Sequence, residues 1–331
     1  MEFFTELLTL DAAKVLTVSF MVGIVVGLTG MGGGALMTPA LIFMGINPTA
    51  AVANDLVAAS VNKSVGAATH WREGSPNLRL AMWLIIGSVP TAFAGAFIVA
   101  AVGEVAEQED FVKLAIGIAL LLTASTYTLR TYLQLRDSVK GRSRIGQKVH
   151  IRPIPTLLVG AFGGLLVGIT SVGSGSLIMV SLLLLYPALG ALRLVGTDLV
   201  QAVPLVLAAA VSHWIVTGVD FGILVPLIIG GMPGTYLGSR LAHWVHEGYV
   251  KRGIVIVLTL TGLTLLEVPP EYVGLIGAAL LILGPLAWGG VRRMHGLPPF
   301  DMLSNGPGHS GAGGRGNGRV PRDESTTAEH R

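Results

Sequence analysis

Five long, predominantly apolar runs constrain this chain more than any other feature: Leu80–Val102, Val112–Leu133, Ile223–Leu241, Ile254–Leu266 and Val273–Trp288. Most are near the length of about 20 residues that crosses the hydrocarbon core of a bilayer as a helix. In lipid every backbone polar group needs a partner within the protein, so only helices and closed barrels can span. Barrel strands alternate apolar and polar residues over about ten positions; these runs do not alternate. With charged residues at only 12 % of the chain, against roughly a quarter in a soluble domain, most of the chain is expected inside a bilayer. The expected class is an all-α polytopic membrane protein whose standing partner is lipid.

A repeat organises these segments. Gly27-Leu28-Thr29-Gly30-Met31-Gly32-Gly33-Gly34 aligns with Gly168-Ile169-Thr170-Ser171-Val172-Gly173-Ser174-Gly175 at an offset of 141. At an offset of 143, Asp55-Leu56 aligns with Asp198-Leu199 and His70-Trp71 with His213-Trp214. Gly87, Pro90 and Gly95 likewise align with Gly230, Pro233 and Gly238. Two homologous halves follow: residues 1–134, and residues 153–290 with a final span. A basic linker, 135–152, joins them, and a polar, Gly-rich tail, 291–331, is expected to be disordered.

Charge suggests how the halves sit. The linker carries Arg136, Lys140, Arg142, Arg144, Lys148 and Arg152 against Asp137, and Arg292-Arg293 follows the last span. Basic loops stay cytoplasmic. Glu104–Asp110, Glu267–Glu271 and the acidic N-terminal stretch are expected outside. The net charge of +3 therefore reads as orientation and not as nucleic-acid binding. By this count the segment after Trp71 is inside and its mate after Ile215 outside. The halves then face opposite ways, the inverted-repeat plan of many secondary transporters. A parallel duplication with eight spans is the alternative.

Ala12–Met44 and Pro155–Tyr186 are each too long for one span and each is interrupted by glycine. Each is expected to be a discontinuous or re-entrant helix pair, broken at Gly30–Gly34 and at Gly173–Gly175. A broken helix leaves free N–H groups and a positive dipole end within the membrane. The candidate substrate-binding residues are therefore Thr29, Gly30, Gly32, Gly33 and Gly34 with Thr170, Ser171, Gly173, Ser174 and Gly175; hydroxyls, including that of Ser176, would add donors for an anion. Close helix packing is the plainer use of the glycines. No Gly-Lys-Ser or Gly-Lys-Thr follows, so these are not nucleotide loops.

Ionisable residues in apolar segments are expensive and point to function. Asn54, Asp55, Asn62 and Lys63 form a polar stripe on one segment, and Asp198 with Gln201 on its mate; these are candidates for a coupling pathway. Asp55, about five residues into its helix, can instead be a partly solvated cap, and Lys63 can snorkel to an interface. His70 and His213, each beside tryptophan, are expected to anchor at the interfaces. No metal-ligand spacing occurs and no cofactor is implied.

Taken together, the first-half glycine run with Pro39 and Gly45-Ile46-Asn47-Pro48 resembles the TauE/SafE sulfite-exporter family. The likeness continues through Asn54-Asp55-Leu56, Asn62-Lys63-Ser64-Val65-Gly66 and His70-Trp71-Arg72-Glu73-Gly74, then Gly196-Thr197-Asp198-Leu199, His213-Trp214 and Gly218-Val219-Asp220-Phe221. It covers roughly Ala13–Leu286. The second half departs from the first in Ser171 and Ser174, in place of Gly30 and Gly33, and in Val206 where Lys63 would stand. The resemblance implies a carrier of small anions, often sulfur oxyanions or organosulfonates, in the cytoplasmic membrane. A cation carrier or channel using the Asp pair, or an intramembrane enzyme using the aspartates and histidines, are the competing classes. No Ser-His pairing supports the enzyme, and a non-enzymatic transporter is expected. Oligomeric state and transport direction are open.

Overall fold

A computed structural model describes residues 10–29, 33–73, 76–139, 151–173, 175–187, 189, 191–242, 244 and 247–295. Gly30, Gly32, Ser174, most of the linker and the whole tail past residue 295 therefore lie outside the described residues. The chain forms two units, 1–285 and 286–331; the candidate residues all belong to the first.

The described residues form eleven helices and no strand. In chain order they are α1 (Leu10–Thr29), α2 (Gly34–Phe43), α3 (Pro48–Glu73), α4 (Leu78–Ala100) and α5 (Val105–Val139). Then follow α6 (Pro153–Thr170), α7 (Leu177–Leu185), α8 (Ala191–Val216), α9 (Phe221–Leu241), α10 (Glu247–Leu265) and α11 (Pro270–Met294). Seven are long and apolar enough to cross a bilayer: α1, α4, α5, α6, α8, α9 and α11. Side chains such as Met82, Phe162 and Leu275 lie on the outside of the helices, where lipid leaves no penalty for apolar exposure.

The repeat is visible in the element order. α1 to α5 and α6 to α10 follow the same long, short, long, long, long sequence, and α3 and α8 are both 26 residues, displaced by 143 positions. The short members α2 and α7, of 10 and 9 residues, are about 15 Å long at 1.5 Å per residue, half a bilayer. Equivalent side chains cap equivalent helices: the Leu80 N–H donates to Asn77 Oδ1 (3.2 Å) at α4, and the Gly222 N–H to Asp220 Oδ1 (2.8 Å) at α9. α5 runs to Val139, five residues into the segment assigned to the linker.

The halves interlock. α1 packs along α9 of the other half, and α6 along α4. Both contacts are backbone to backbone through small residues. A Cβ on Gly23 would stand 2.6 Å from the Gly231 carbonyl oxygen, and those on Gly27, Gly234 and Gly238 would run into the Thr235, Phe20 and Ile24 carbonyls. In the other pair a Cβ on Gly160 would stand 2.5 Å from the Leu84 oxygen, and those on Gly87, Gly164 and Gly168 would meet the Leu157, Ser88 and Ala92 carbonyls. Close approach through small residues drives helix association where apolar side chains gain nothing by leaving lipid. These glycines thus serve the two contacts, in register at both offsets.

Candidate functional site

α3 is the polar helix of the first half. Asn47 precedes it, and its Oδ1 accepts from the Thr49 N–H at 2.9 Å and the Thr49 hydroxyl at 2.6 Å. Pro48 at the first helical position has no N–H to leave unsatisfied. Asn47 is therefore the cap, and Asp55 is not: it stands about two turns into the helix and is 2 % exposed. The expectation of a solvated cap is corrected by this placement.

Asp55 instead joins the two halves. Its Oδ2 accepts from the Thr38 hydroxyl at 2.6 Å and the Ser171 hydroxyl at 2.8 Å. Thr38 belongs to the half-helix after the first break, and Ser171 caps α6 at the second. Both are buried. Hydrogen bonds to an ionised acceptor are about twice as strong as neutral ones, so this carboxylate ties the breaks together. They also touch directly, since a Cβ on Gly34 would run into the Ser171 carbonyl and reach its Oγ at 2.8 Å. Sequence reasoning placed both breaks; Thr38 it missed, because nothing in local spacing marks a threonine 17 residues before its partner.

Ser171 has φ 61°, the left-handed region in which a side chain costs roughly 1–2 kcal/mol. Its mate in the first half is Gly30, which would adopt that region freely. The serine brings a hydroxyl to Asp55 at that cost. The remaining hydroxyls are used differently from the expectation. Thr29 donates to the Val25 and Val26 carbonyls (2.9 and 3.2 Å), and Thr170 to the Leu166 carbonyl (2.6 Å). Each hydroxyl has one proton, so neither offers a donor to an anion here. At Gly33 and Gly175 an added Cβ would meet nothing within 4 Å, unlike the packed glycines of α1, α4, α6 and α9. Gly173, at φ 103°, supplies the turn between α6 and α7.

In the second half Asp198 is buried on α8 and accepts from Gln201 Nε2 at 3.1 Å; the Ser88 hydroxyl of α4 lies 3.5 Å from Gln201 Oε1. Lys63, half-buried on α3, interacts electrostatically with both Asp55 and Asp198. Arg130 of α5 attracts Asp198 as well; it was legible only as one more basic residue near the end of an apolar run. α3 runs unbroken for ten residues past Lys63. Asn54 is wholly buried and Asn62 half-buried on the same helix.

His213 departs from its expected interfacial place. It is 1 % exposed, and its Nε2 lies 2.7 Å from the Gly168 carbonyl. In a continuing helix that carbonyl would take the Val172 N–H, but this donates to Thr170 Oγ1 at 3.1 Å. His213 therefore satisfies the carbonyl freed by the break, as the Nε2–H tautomer, and steadies the turn carrying Ser171. Trp214 is half-exposed and stacks edge-on with Phe221 at 6.3 Å. The side chain of His70 lies outside the described residues.

Comparison with known proteins places the constellation. The sequence profile described as Sulfite exporter TauE/SafE matches residues 15–265. The chain is 35 % identical to the probable membrane transporter protein YjnA of Bacillus subtilis (strain 168) over 256 residues, 77 % of this chain and 100 % of that protein. It is 25 % identical to the probable membrane transporter protein YdhB of the same organism, over 76 % of this chain and 99 % of the relative. A probable membrane transporter protein of Xylella fastidiosa (strain Temecula1 / ATCC 700964) is 27 % identical over 67 % of this chain and 81 % of its own length. No solved structure matches. Helices able to cross a bilayer, the interlocked halves and the extent of the profile match agree: the chain belongs to the TauE/SafE sulfite-exporter family and is a multi-pass membrane transporter.

Proposed function

We propose that this transporter is a secondary carrier of a small anion, a sulfur oxyanion such as sulfite or an organosulfonate, across the cytoplasmic membrane, coupled to protons through Asp55. One observation carries the reading: Asp55 is held at once by Thr38 and Ser171, so a single titratable group sits where both broken helices meet. Protonating it weakens both bonds and loosens one half from the other. Anion affinity is assigned to the half-helix starts at Gly33–Gly34 and Gly175–Ser176 and to the positive charge of Lys63. The opposed loop charges support an inverted arrangement, with the N-terminus outside and the C-terminus in the cytoplasm.

A second reading has its own support. Two buried carboxylates interact electrostatically with Lys63, and Asp55 takes the hydroxyl protons that an anion would need. A cation would bind such a centre directly. Flux of labelled sulfite and of monovalent and divalent cations into proteoliposomes, with and without a pH gradient, separates the two. Saturable sulfite flux driven by the gradient is expected. Cation flux without sulfite flux would replace the anion reading with the cation one.

A further inference from the structure

Matching positions on the two halves are not matched in bonding. Thr197 on α8 accepts the backbone N–H of Asn77, the cap of α4, at 3.0 Å. One residue earlier on each side, a Cβ on Gly196 would stand 3.7 Å from Pro76 Cβ. Here α4 lies along α8 over much of its length. The repeat mates are Asn54 for Thr197, Asp220 for Asn77, Ala53 for Gly196 and Val219 for Pro76. There α9 touches α3 over a short stretch only, and Leu224, Leu227, Ala51 and Ala58 share one buried apolar cluster. Asn54 is wholly buried; its Nδ2 donates to the Ala50 carbonyl at 2.8 Å, and its Oδ1 has no hydrogen-bond partner among the described residues. A buried amide oxygen without a donor is a free-energy cost that calls for a structural account.

We propose that Asn54 is the acceptor of a second latch: its Oδ1 receives the Asp220 backbone N–H in the alternative conformation, in which the Asn77–Thr197 bond is open. The latches alternate because each needs its own helix pair, α4 with α8 or α3 with α9, drawn together. The proposal rests on the carrier reading and names where that carrier exchanges its two states. In the inverted arrangement the Asn77–Thr197 latch closes the cytoplasmic end and Asn54–Asp220 the outer end, so alternation of the latches is alternation of access.

The chain contains no cysteine, so introduced thiols report cleanly. The pairs Pro76→Cys/Gly196→Cys and Ala53→Cys/Val219→Cys are reconstituted separately in the full chain, and oxidative cross-linking rates are measured. The first geometry already falls within the usual Cβ separation of a disulfide, and the first pair should cross-link faster. Thr197→Val should slow the first pair and accelerate the second, each by roughly fivefold, the worth of one hydrogen bond. Asn54→Ala should slow the second pair and leave the first at least as fast. Thr197→Ser keeps the acceptor and should restore the original rates, which separates loss of the latch from loss of fold. Two pairs that respond alike to these changes, or a second pair indifferent to Asn54→Ala, overturn the proposal. Cross-linking requires no substrate, so a chain that carries no sulfite refutes the anion reading and leaves the latches standing.

Discussion

Asp55 and Asp198 stand at equivalent places on α3 and α8, yet the protein holds them differently. Asp55 bonds to hydroxyls from two other segments, one in each half. Asp198 bonds along its own helix to Gln201 and otherwise feels Lys63 and Arg130 through space. Two differences between the halves, both carried by the second half, account for much of this. Ser171 replaces the glycine of the first break, and Val206 replaces the lysine of α3. Duplication supplied a scaffold with two aspartates, and divergence made one a junction and left the other beside positive charge.

The largest expected effect tests what the halves still share. Gly27 and Gly168 are mates, and each packs on a carbonyl of the other half. Gly27→Val and Gly168→Val should both lose folded protein, since overpacking costs about 1–3 kcal/mol or more and here the neighbour is backbone. Gly33→Val and Gly175→Val meet open space. They should leave folded yield near wild type and, on the carrier reading, still abolish transport by closing the half-helix starts. Yield by fluorescence-detected size exclusion, taken beside flux, separates the groups. Full transport in well-folded Gly33→Val and Gly175→Val would assign the clusters to packing alone.

Asp55→Asn against Asp198→Asn comes next. A charged acceptor contributes about 1.5–3 kcal/mol per hydrogen bond against 0.5–1.5 for a neutral one, and Asp55 has two such bonds across elements. Asp55→Asn should therefore suppress proton-driven accumulation by at least about tenfold and spare some anion-for-anion exchange. Asp198→Asn should do less, because its one bond is local. Equal losses in the two variants would mean that the asymmetry of bonding has no consequence for coupling.

A smaller effect is expected at His213. His213→Phe fills the space but leaves the Gly168 carbonyl without its donor, a loss of about 1–3 kcal/mol. His213→Gln can still donate and should recover much of it. Thermal stability in detergent reads both. An unchanged melting temperature in His213→Phe would deny this histidine its role at the second break.

The helical membrane class, the repeat and both breaks were legible in the sequence, because apolar length and paired dipeptides at one offset are local signals. Which glycines pack and which stand open was not. Gly27 and Gly33 lie in one cluster, and only the α1–α9 contact distinguishes them. Asp55 could be read as a cap as well as a coupling group, because α3 begins earlier than its apolar stretch, at Asn47-Pro48. His213 looked interfacial because a tryptophan follows it, although a helix turns adjacent residues about 100° apart and can bury one while exposing the other. Thr38, Ser88 and Arg130 could not be found at all, since each matters through a partner far away in sequence.

Lys63 carries the last and smallest test, and it bears on the same asymmetry. It is the one lysine of α3, its mate is Val206, and it interacts electrostatically with both aspartates from a half-buried position. If it serves the anion, removing its charge raises KM more than it lowers the maximal rate, because binding is lost without loss of the moving parts. If it serves the aspartates, the same change acts on coupling and leaves KM alone. At an effective dielectric constant near 20, a charge a few ångströms from an anion is worth a few kcal/mol at most, and partial solvent exposure reduces that. A KM increase of roughly three- to tenfold for Lys63→Met is the expected outcome, with Lys63→Arg near wild type. Val206→Lys restores the mate's charge on α8. In the Lys63→Met background it should recover part of the anion affinity if position within the centre is what matters. Failure of that rescue, with Lys63→Arg active, would mean that the halves have diverged too far for the charge to be moved between them.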